Sequence, residues 1–401
     1  MTTTEPRSFP FGEIERLDLD PLFSQLRREE PLIRVQLPYG EPAWLATRYE
    51  DVRAVLSDPR FSRAAAADRD EPRSRVYRGS PGNNIMAFDP PEHSRLRRLV
   101  AKAFTVRRVE QLRPRAQEIA DGLVDAMRAN GSSADLVEEF ALPLPITVIC
   151  ELLGVPFEDR ADFRTWSDAF LSTTRYTPEE VATYVGRLRE YMAGLIAARR
   201  EQAQDDLLSA LVEARDNSDR LNEEEMLSLA EGLLVAGHET TASQIPNFMY
   251  VLLTNPEQLA QLRADLDLVP NAVEELMRFV PLGAGAGSAR YAVADVELSG
   301  VTVRAGEPVL VSLNSANRDE SVYANPDELD LHREGTSHVG FGHGPHHCLG
   351  APLARMELQV ALRTLLTRLP GLRFAGTQAD VRWKSGVATR GPAHLPVTWD
   401  D

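Results

Sequence analysis

The pattern of hydrophobic and polar residues predicts short strands near both ends of the chain. Close to the start, the apolar stretches 32–37 and 43–47 flank a Pro-Tyr-Gly turn, which predicts a β-hairpin. Further short strands are predicted at 296–298, 301–303, 308–313, 372–374 and 397–399. Strands of this length predict small β-sheets rather than one large sheet.

Helical spacing of apolar residues dominates the middle of the chain. It predicts helices at 91–103, 109–129, 145–153, 161–172, 178–203 and 206–214. The longest pattern begins after Asn222, which is suited to an N-cap with Glu225 three residues on, and runs to about Thr254. A helix of that length would be about 48 Å long. We therefore expect a mostly α-helical α+β protein in one domain, residues 1–401, because no linker or repeat interrupts the pattern.

Composition and charge exclude several classes of function. A net charge of -16 argues against a nucleic-acid partner. Two cysteines in 401 residues exclude a disulfide framework and fit a reducing compartment. The first residues lack the apolar core of a signal peptide, and no stretch approaches the roughly 18 apolar residues of a membrane span. We expect a soluble cytoplasmic protein.

The segment 341–350 carries the most informative chemistry. Its sequence, Phe-Gly-His-Gly-Pro-His-His-Cys-Leu-Gly, places Cys348 in a glycine-rich turn directly before the predicted helix 351–369. The free N–H groups and the dipole at the start of a helix lower the pKa of a thiol. An anionic sulfur is the axial ligand that a haem iron needs for O–O cleavage. Cys348 is therefore a candidate thiolate ligand of a haem iron.

Two other interpretations of Cys348 are a buried structural cysteine and a zinc site. The zinc site would combine Cys348 with the histidines of the turn, but zinc ligands usually come as two spaced pairs. The second cysteine, Cys150, lies in an apolar helical stretch and is expected to belong to the core. Both interpretations are less favoured than haem ligation.

The same segment resembles the haem-binding signature Phe-Gly-x-Gly-x-His-x-Cys-x-Gly of the cytochrome P450 family, with all six fixed positions matched. This resemblance implies a cytochrome P450 fold with a long central helix, a bound haem b, and O2 and NAD(P)H-derived electrons as co-substrates. It also implies which residues contact the haem here: Phe341, Gly342, His346, Cys348 as the iron ligand, and Gly350.

The middle of the longest helix resembles the oxygen-activation segment of that family. Ala236 and Gly237 are small enough for a haem face and O2 to approach, and the Thr240 hydroxyl can bond to a carbonyl one turn back. The resemblance implies that Thr240 positions a proton donor and that Glu239 relays protons inward. Alternatively, Glu239 is an ordinary helical acid and Thr240 a packing residue.

Other positions match further landmarks of the family. Glu275 and Arg278 match its Glu-x-x-Arg pair, which would lie on one helix face and would usually be a surface pair. By resemblance they form a buried structural clamp completed by Arg333. A buried haem also needs cations and donors for its two propionates. The resemblance assigns this role to His93, Arg97, Arg290 and His346.

The substrate pocket is inferred from the resemblance alone. The residues that would line it are Ile85, Met86, Leu234, Gly283, Ala284, Gly285 and Val387. The run of glycine and alanine at 283–287 leaves space, which predicts a roomy pocket for a bulky, largely apolar small molecule. An equally simple explanation is that these glycines serve only a turn.

A basic stretch between residues 94 and 115 contrasts with the acidic chain. The residues offered for docking are Arg95, Arg98, Lys102, Arg107 and Arg108. A charge run is usually a solvated helix face, but it can also steer an acidic electron donor. Because no flavin or iron–sulfur domain is fused here, we expect a separate ferredoxin and ferredoxin reductase.

The resemblance implies a monooxygenase that hydroxylates a C–H bond or epoxidises a C=C bond of a secondary-metabolite intermediate, a polyketide, macrolide or peptide. Oxidative coupling without oxygen insertion would share every residue named. A non-enzymatic haem sensor would need no proton relay. Peroxide-dependent relatives typically replace the central acid and threonine, whereas Glu239 and Thr240 are present.

Overall fold

The computed structural model describes residues 5–12, 16–75, 84–156, 160–216, 221–283, 285–335 and 337–400. Within them the α-helices are α1 (Leu22–Glu29), α2 (Tyr49–Ser57), α3 (Glu92–Ala101), α4 (Val106–Ala129), α5 (Pro143–Leu153), α6 (Arg160–Phe170), α7 (Pro178–Glu201), α8 (Leu207–Asp216), α9 (Glu223–Thr254), α10 (Pro256–Ala264), α11 (Val269–Phe279), α12 (Leu313–Ala316) and α13 (Ala351–Arg368). The strands are β1 (Arg7–Ser8), β2 (Leu32–Gln36), β3 (Ala43–Ala46), β4 (Phe61–Ser62), β5 (Ser133–Asp135), β6 (Arg290–Ala292), β7 (Val296–Leu298), β8 (Val301–Val303), β9 (Pro308–Val311), β10 (Arg373–Phe374), β11 (Arg382–Trp383), β12 (Pro392–His394) and β13 (Pro396–Thr398). The predicted helix-rich α+β class is confirmed.

The predicted helices are present, and capping side chains explain where several of their ends differ. Helix α4 begins three residues before the predicted start, because the Thr105 hydroxyl accepts a hydrogen bond from the Arg108 N–H and caps an earlier turn. Strand β9 ends at Val311 rather than residue 313, because Ser312 caps α12 by accepting from the Ser315 N–H. Side-chain hydrogen-bond acceptors therefore set ends of helices and strands that hydrophobic periodicity alone does not define.

The predicted hairpin forms and becomes part of a larger sheet. Strands β2 and β3 pair antiparallel, with Ile33 opposite Leu45. The sheet order is β1-β2-β3-β9-β6-β4 in the described part of the chain. Strands β9 and β6 come from more than 200 residues further on, so the hairpin is completed by the late strands. The side chains on this sheet form two smaller cores separate from the helical core.

Helix α9 crosses the helical part of the molecule. It begins with the predicted capping box: the Asn222 side chain accepts from the Glu225 N–H, and the Glu225 carboxylate accepts from the Asn222 N–H, both at 2.8 Å. Its 32 residues correspond to a length of about 48 Å. It packs against α5, α7 and α13, and most of its residues are buried. Polar groups in its middle therefore require partners or a function.

The main hydrophobic core joins the central and late helices. It contains residues of α4, α5, α9, α11 and α13, and it includes Cys150, as predicted. Helix α13 packs on both α4 and α9, so the turn that precedes α13 is held against the centre of the molecule. In the described part of the chain, no helix combines the length and the apolar character needed to cross a membrane.

Candidate active site

The turn at residues 339–350, called here the cysteine turn, is shaped by its backbone. Gly342 and Gly344 adopt positive φ angles of 74° and 70°, which other residues resist. A side chain at Gly344 would also collide with the Leu56 carbonyl of α2. The Cys348 N–H donates to the Phe341 carbonyl at 2.8 Å and so closes the turn. The turn therefore needs glycine both for conformation and for contact with α2.

Cys348 lies three residues before the first residue of α13, and its thiol experiences opposing influences. Burial raises its pKa, whereas the N–H groups of Gly350 and Ala351 lower it, as do Arg97 and Arg355. The predicted effect of the helix start is present, but the effect of burial is larger, and the net direction of the pKa is upward. A bound cation would supply the charge that keeps this sulfur deprotonated.

The ring of Phe341 connects the cysteine turn to α13. It is buried, and the guanidinium of Arg355 lies 4.5 Å from its centroid. Arg355 in turn binds Glu274 of α11, with its Nε 2.6 Å from Oε1. The turn is thereby joined to α11 and α13 through side chains as well as backbone.

Glu275, Arg278 and Arg333 are brought together as a buried charge cluster. Arg278 Nε lies 2.7 Å from Glu275 Oε2, and both side chains are fully buried. Arg333 Nε donates to Glu275 Oε1 at 3.1 Å, and the Asp330 N–H donates to the same oxygen at 3.0 Å. One carboxylate therefore binds two guanidinium groups and a backbone N–H. The prediction of a clamp describes this geometry well, because the three residues bind each other rather than solvent.

A short chain of contacts leads from this cluster to the cysteine turn. Arg278 NH1 donates to the Asn317 carbonyl at 2.8 Å, and the Asn317 side chain accepts from the Val339 N–H at 2.8 Å. The Val339 carbonyl then accepts from the Gly342 N–H at 2.8 Å. Three consecutive hydrogen bonds thus connect Arg278 of this cluster with Gly342 of the turn.

The four predicted propionate-binding residues gather with a fifth, Arg63, into a haem-edge cluster. Its members are Arg63, His93, Arg97, Arg290 and His346. The imidazole rings of His93 and His346 lie 4.1 Å apart, and both are buried or half-buried. Arg63 donates to the Ala289 carbonyl and pairs with Glu71 at 2.6 Å. Sequence reasoning missed Arg63, because a lone arginine in a polar loop gives no distinguishing signal.

The haem-edge cluster is rich in donors and poor in acids. Burial and the neighbouring cations lower the pKa of His346 to about 3, and burial with Arg63 lowers that of Arg290 to about 10. Asp89 is the acid that opposes these shifts. Moreover, His93 Nδ1 and both His346 nitrogens are buried without a hydrogen-bond partner in the described residues. Such a cluster suits a ligand that brings carboxylates.

These observations agree with a haem group. A haem needs an axial sulfur and counter-charges for two propionates, and Cys348 and the haem-edge cluster supply both. The two sites are close, because the charge of Cys348 acts on Arg97 and partly offsets the effect of burial on its pKa. We conclude that the residues present fit the group that the sequence implied.

One face of α9 is open in the middle of this otherwise buried helix. Ala236 is exposed and Thr240 is partly accessible, whereas Val235, His238 and Glu239 are buried. The Thr240 hydroxyl donates to the Ala236 carbonyl at 3.0 Å, as expected from sequence. Ala236, Gly237 and Thr240 are called here the accessible face of α9. It leaves the Thr240 hydroxyl partly accessible on an otherwise buried helix.

Gly237 has a packing role that the sequence did not reveal. A Cβ atom at this position would lie 2.5 Å from Ile149 Cγ1 of α5. Because this distance is far below a normal contact, the Ile149 side chain or the two helices would have to shift to admit a side chain here. Helix packing therefore favours a small residue at this position, in addition to any role in admitting a haem or O2.

Glu239 points away from the accessible face. It is buried, and its Oε1 lies 2.6 Å from Nζ of Lys384 in the turn between β11 and β12. Burial raises the pKa of Glu239, but Lys384 and His238 lower it by more, and the net direction is downward. Lys384 was missed because it lies 145 residues away in an unremarkable polar turn.

A second buried acid, Glu357 of α13, was also missed. It is fully buried beside Thr241 of α9, and its carboxyl oxygens make no geometrically sound hydrogen bond in the described residues. Burial raises its pKa well above the usual range, and the neighbouring Thr241 side chain opposes this shift. A single acid within a helical stretch gives no sequence signal of burial.

The residues predicted to line the substrate pocket fall into three groups. Ile85 is half-buried and Met86 is exposed, in a short turn of 3-10 helix. Gly283 and Val387 form a second group, because Gly283 forms a β-bridge with Thr389, two residues after Val387, and Val387 forms one with Ser172. Gly285 lies near Ser74. Leu234 is instead fully buried in the main core and is not on the accessible face. Ala284 lies outside the described residues.

The basic residues offered for docking separate into two sets. Arg98, Lys102, Arg107 and Arg108 are exposed. Arg95 instead forms an ion pair with Glu225, the residue of the α9 capping box. The charge of Arg95 is therefore used within the molecule, and we leave it out of the exposed basic surface (Arg98, Lys102, Arg107 and Arg108).

Comparisons with known proteins agree with this geometry. The family model described as cytochrome P450 matches residues 12–370. The chain is 56% identical to mycinamicin IV hydroxylase/epoxidase of Micromonospora griseorubida and 54% identical to nocardicin C N-oxygenase of Nocardia uniformis subsp. tsuyamanensis, each over 100% of both chains. The crystal structure of HinD with NMFT and NO is similar at a TM-score of 0.96 and 50% identity, covering 99% of this chain and 100% of that one. The chain therefore belongs to the cytochrome P450 family.

Proposed function

We propose that this protein inserts one oxygen atom from O2 into a C–H or C=C bond of a bulky, largely apolar secondary-metabolite intermediate. As a cytochrome P450 it is a monooxygenase that uses haem iron, O2 and electrons from a reductant. The two relatives named above are a hydroxylase/epoxidase of mycinamicin IV and an N-oxygenase of nocardicin C. The observation that carries the proposal is Cys348 at the start of α13 together with Thr240 on the accessible face of α9.

We further propose that the cofactor is haem b. Cys348 would ligate the iron, and the haem-edge cluster would bind the two propionates through its arginine and histidine donors. When bound, the haem supplies the activation of O2 for transfer of one oxygen atom. The protein residues supply the thiolate environment, the counter-charges and the route for protons.

Thr240 and Glu239 would move protons in this site. The Thr240 hydroxyl donates to the Ala236 carbonyl, so its oxygen lone pairs remain available to hold a proton donor, such as a water molecule, on the accessible face. Glu239 is ionised and lies one residue away on the buried side of the helix. It would accept a proton from the outside and pass it toward Thr240.

The substrate would contact the residues around this face. Ile85 and Met86 provide apolar surface, and the backbone at Gly283 leaves room beside the turn that contains Val387. The Gly283 carbonyl accepts from the Asn314 amide at 3.1 Å, so this segment is held in place. We propose a roomy pocket on these residues.

We propose that a separate ferredoxin, reduced by a ferredoxin reductase with NAD(P)H, docks on the exposed basic surface. A cluster of exposed cations on a protein of net charge -16 would attract an acidic partner. The cysteine turn is near the α3 end of this surface, because Arg97, next to Arg98 in α3, acts on Cys348. We also propose that the protein works in the cytoplasm, where such electron donors and free thiols are maintained.

Three measurements test the proposed function. The reduced protein with carbon monoxide should show the strongly red-shifted Soret band of a thiolate-ligated haem. Candidate macrolide and peptide intermediates should then displace the water ligand of the iron in a spectral titration, and turnover in isotope-labelled O2 should place one labelled oxygen atom in the product. A coupled product without labelled oxygen would instead support oxidative coupling, and electron uptake without any product would support a haem sensor.

A further inference from the structure

Lys384 binds Glu239 in the interior of the protein. Its side chain is about nine-tenths buried, and its Nζ lies 2.6 Å from Glu239 Oε1 and 3.0 Å from Ser243 Oγ. The Thr389 hydroxyl donates to the same carboxylate oxygen at 3.4 Å. The lysine therefore joins the turn between β11 and β12 to the middle of α9.

A buried carboxylate requires such a partner to stay ionised. Without a counter-charge, burial would favour the neutral acid and would raise its pKa by up to several units. In the described residues, Lys384 is the only cation within ion-pair distance of Glu239. The protonation state of Glu239 thus depends on one side chain from a distant turn.

Other charged groups surround the pair but do not replace the lysine. Asp168 and Arg164 of α6 act on Glu239 from a greater distance, and Asp168 is itself paired with Arg175 at 3.0 Å. His238 is buried with its Nδ1 2.7 Å from the Leu234 carbonyl, and burial lowers its pKa. On the α13 side, the buried acid Glu357 faces Thr241.

The position of Lys384 is fixed by the segment between α6 and α7. The carbonyl of Gly386 accepts hydrogen bonds from the N–H groups of Thr173, Thr174 and Arg175, at 2.8, 3.1 and 3.0 Å. The Ala388 N–H donates to the Leu171 carbonyl at 2.9 Å. Lys384 is therefore presented to Glu239 by a turn whose own place is set by a neighbouring loop.

We propose that Lys384 is a positioning residue for proton delivery: it holds Glu239 as a carboxylate that can accept a proton from outside and release it toward Thr240. For each proton delivered, Glu239 takes up one proton and gives up one, and Lys384 keeps its charge. The inference rests on the proposed role of Glu239, and it adds the residue on which that role depends.

The test compares Lys384→Gln with Lys384→Arg in the haem-loaded protein. The measured quantity is product formed per NAD(P)H consumed, as a function of pH. In Lys384→Gln the pKa of Glu239 should rise, so coupling should fall as the pH decreases, with a midpoint about one pH unit or more above that of the wild type. Lys384→Arg should keep the wild-type profile, because it retains the charge. In Lys384→Gln/Glu239→Gln the new pH dependence should be absent.

A second measurement reports on the carboxyl group without turnover. Infrared difference spectra of the resting protein should show a protonated carboxyl band in Lys384→Gln that is absent in the double variant. If Lys384→Gln retains the wild-type pH profile and shows no such band, the inference is overturned. Lys384→Met, of similar length, repeats both measurements if Lys384→Gln does not bind haem. If Glu239→Gln alone leaves coupling unchanged, the proposed role of Glu239 fails, whereas the infrared band still decides whether Lys384 keeps it ionised.

Discussion

The cysteine turn and the part of α9 proposed to deliver protons are built in different ways. In the turn, Cys348 is placed by positive-φ glycines, by its own hydrogen bond to Phe341 and by the start of the next helix, all within ten residues of sequence. On α9, Glu239 is held by Lys384 from a turn 145 residues away. The position of Cys348 is thus set mainly by local backbone, whereas Glu239 is held by contacts between distant segments.

Both parts of the site nevertheless depend on a buried ion pair. The cysteine turn is further supported by the fully buried pair of Glu275 and Arg278. The turn that carries Lys384 rests on backbone hydrogen bonds to the loop 171–175 and on the buried pair of Lys384 and Glu239. Neither ion pair can separate without leaving buried charge.

The largest expected effect is at the ligand. Cys348→Ser should abolish the red-shifted carbon monoxide band and product formation, because a neutral hydroxyl cannot replace the thiolate. Cys150→Ser is the matched control: Cys150 is buried in the main core, so this variant should keep the band. Absorbance spectra of the two reduced variants with carbon monoxide show whether each keeps the band. A retained band in Cys348→Ser would contradict haem ligation by this residue.

The next effect concerns the clamp. Glu275→Gln should destabilise the haem-loaded protein by about 3–5 kcal/mol, because Arg278 would remain buried without its counter-charge. Arg304→Gln removes the exposed pair with Asp295 and should cost no more than about 1 kcal/mol. Denaturant unfolding of both variants measures this difference. Equal losses would mean that the buried cluster does not support the fold.

Thr240→Ala should lower the coupling of electron uptake to product formation without changing haem ligation by Cys348. Product per NAD(P)H should fall by roughly 10²-fold, with electrons released as peroxide, because the proton donor is no longer held. The carbon monoxide band should be unchanged. Thr254→Ala removes a similar hydroxyl-to-carbonyl bond at the far end of α9 and should retain coupling. An unaltered rate of oxygen reduction in Thr240→Ala would favour the haem-sensor alternative.

The smallest effect is expected at the exposed basic surface. Arg98→Glu with Lys102→Glu should raise the KM for the ferredoxin by about tenfold at low salt, and the effect should shrink as salt is added. Arg304→Glu tests for a general effect of charge and should leave this KM unchanged. Steady-state kinetics at several ionic strengths provide the measurement. An effect that is independent of salt would contradict electrostatic docking.

The sequence by itself determined the helix-rich fold, the long capped helix and the chemistry of the cysteine turn. These features depend on periodicity, capping residues and a contiguous motif, so they can be read from neighbouring residues. The hydrogen bond from Thr240 to the Ala236 carbonyl could also be predicted, because helix geometry fixes groups one turn apart.

Only the tertiary structure decided which distant residues complete the site. It brought Lys384 to Glu239, added Arg63 to the haem-edge cluster and placed Glu357 beside Thr241. It also placed Leu234 in the main core and paired Arg95 with Glu225. These outcomes depend on burial and on pairing between segments far apart in the chain. Neither is encoded in local spacing, because the free energy of a buried charge is set by whatever the fold places around it.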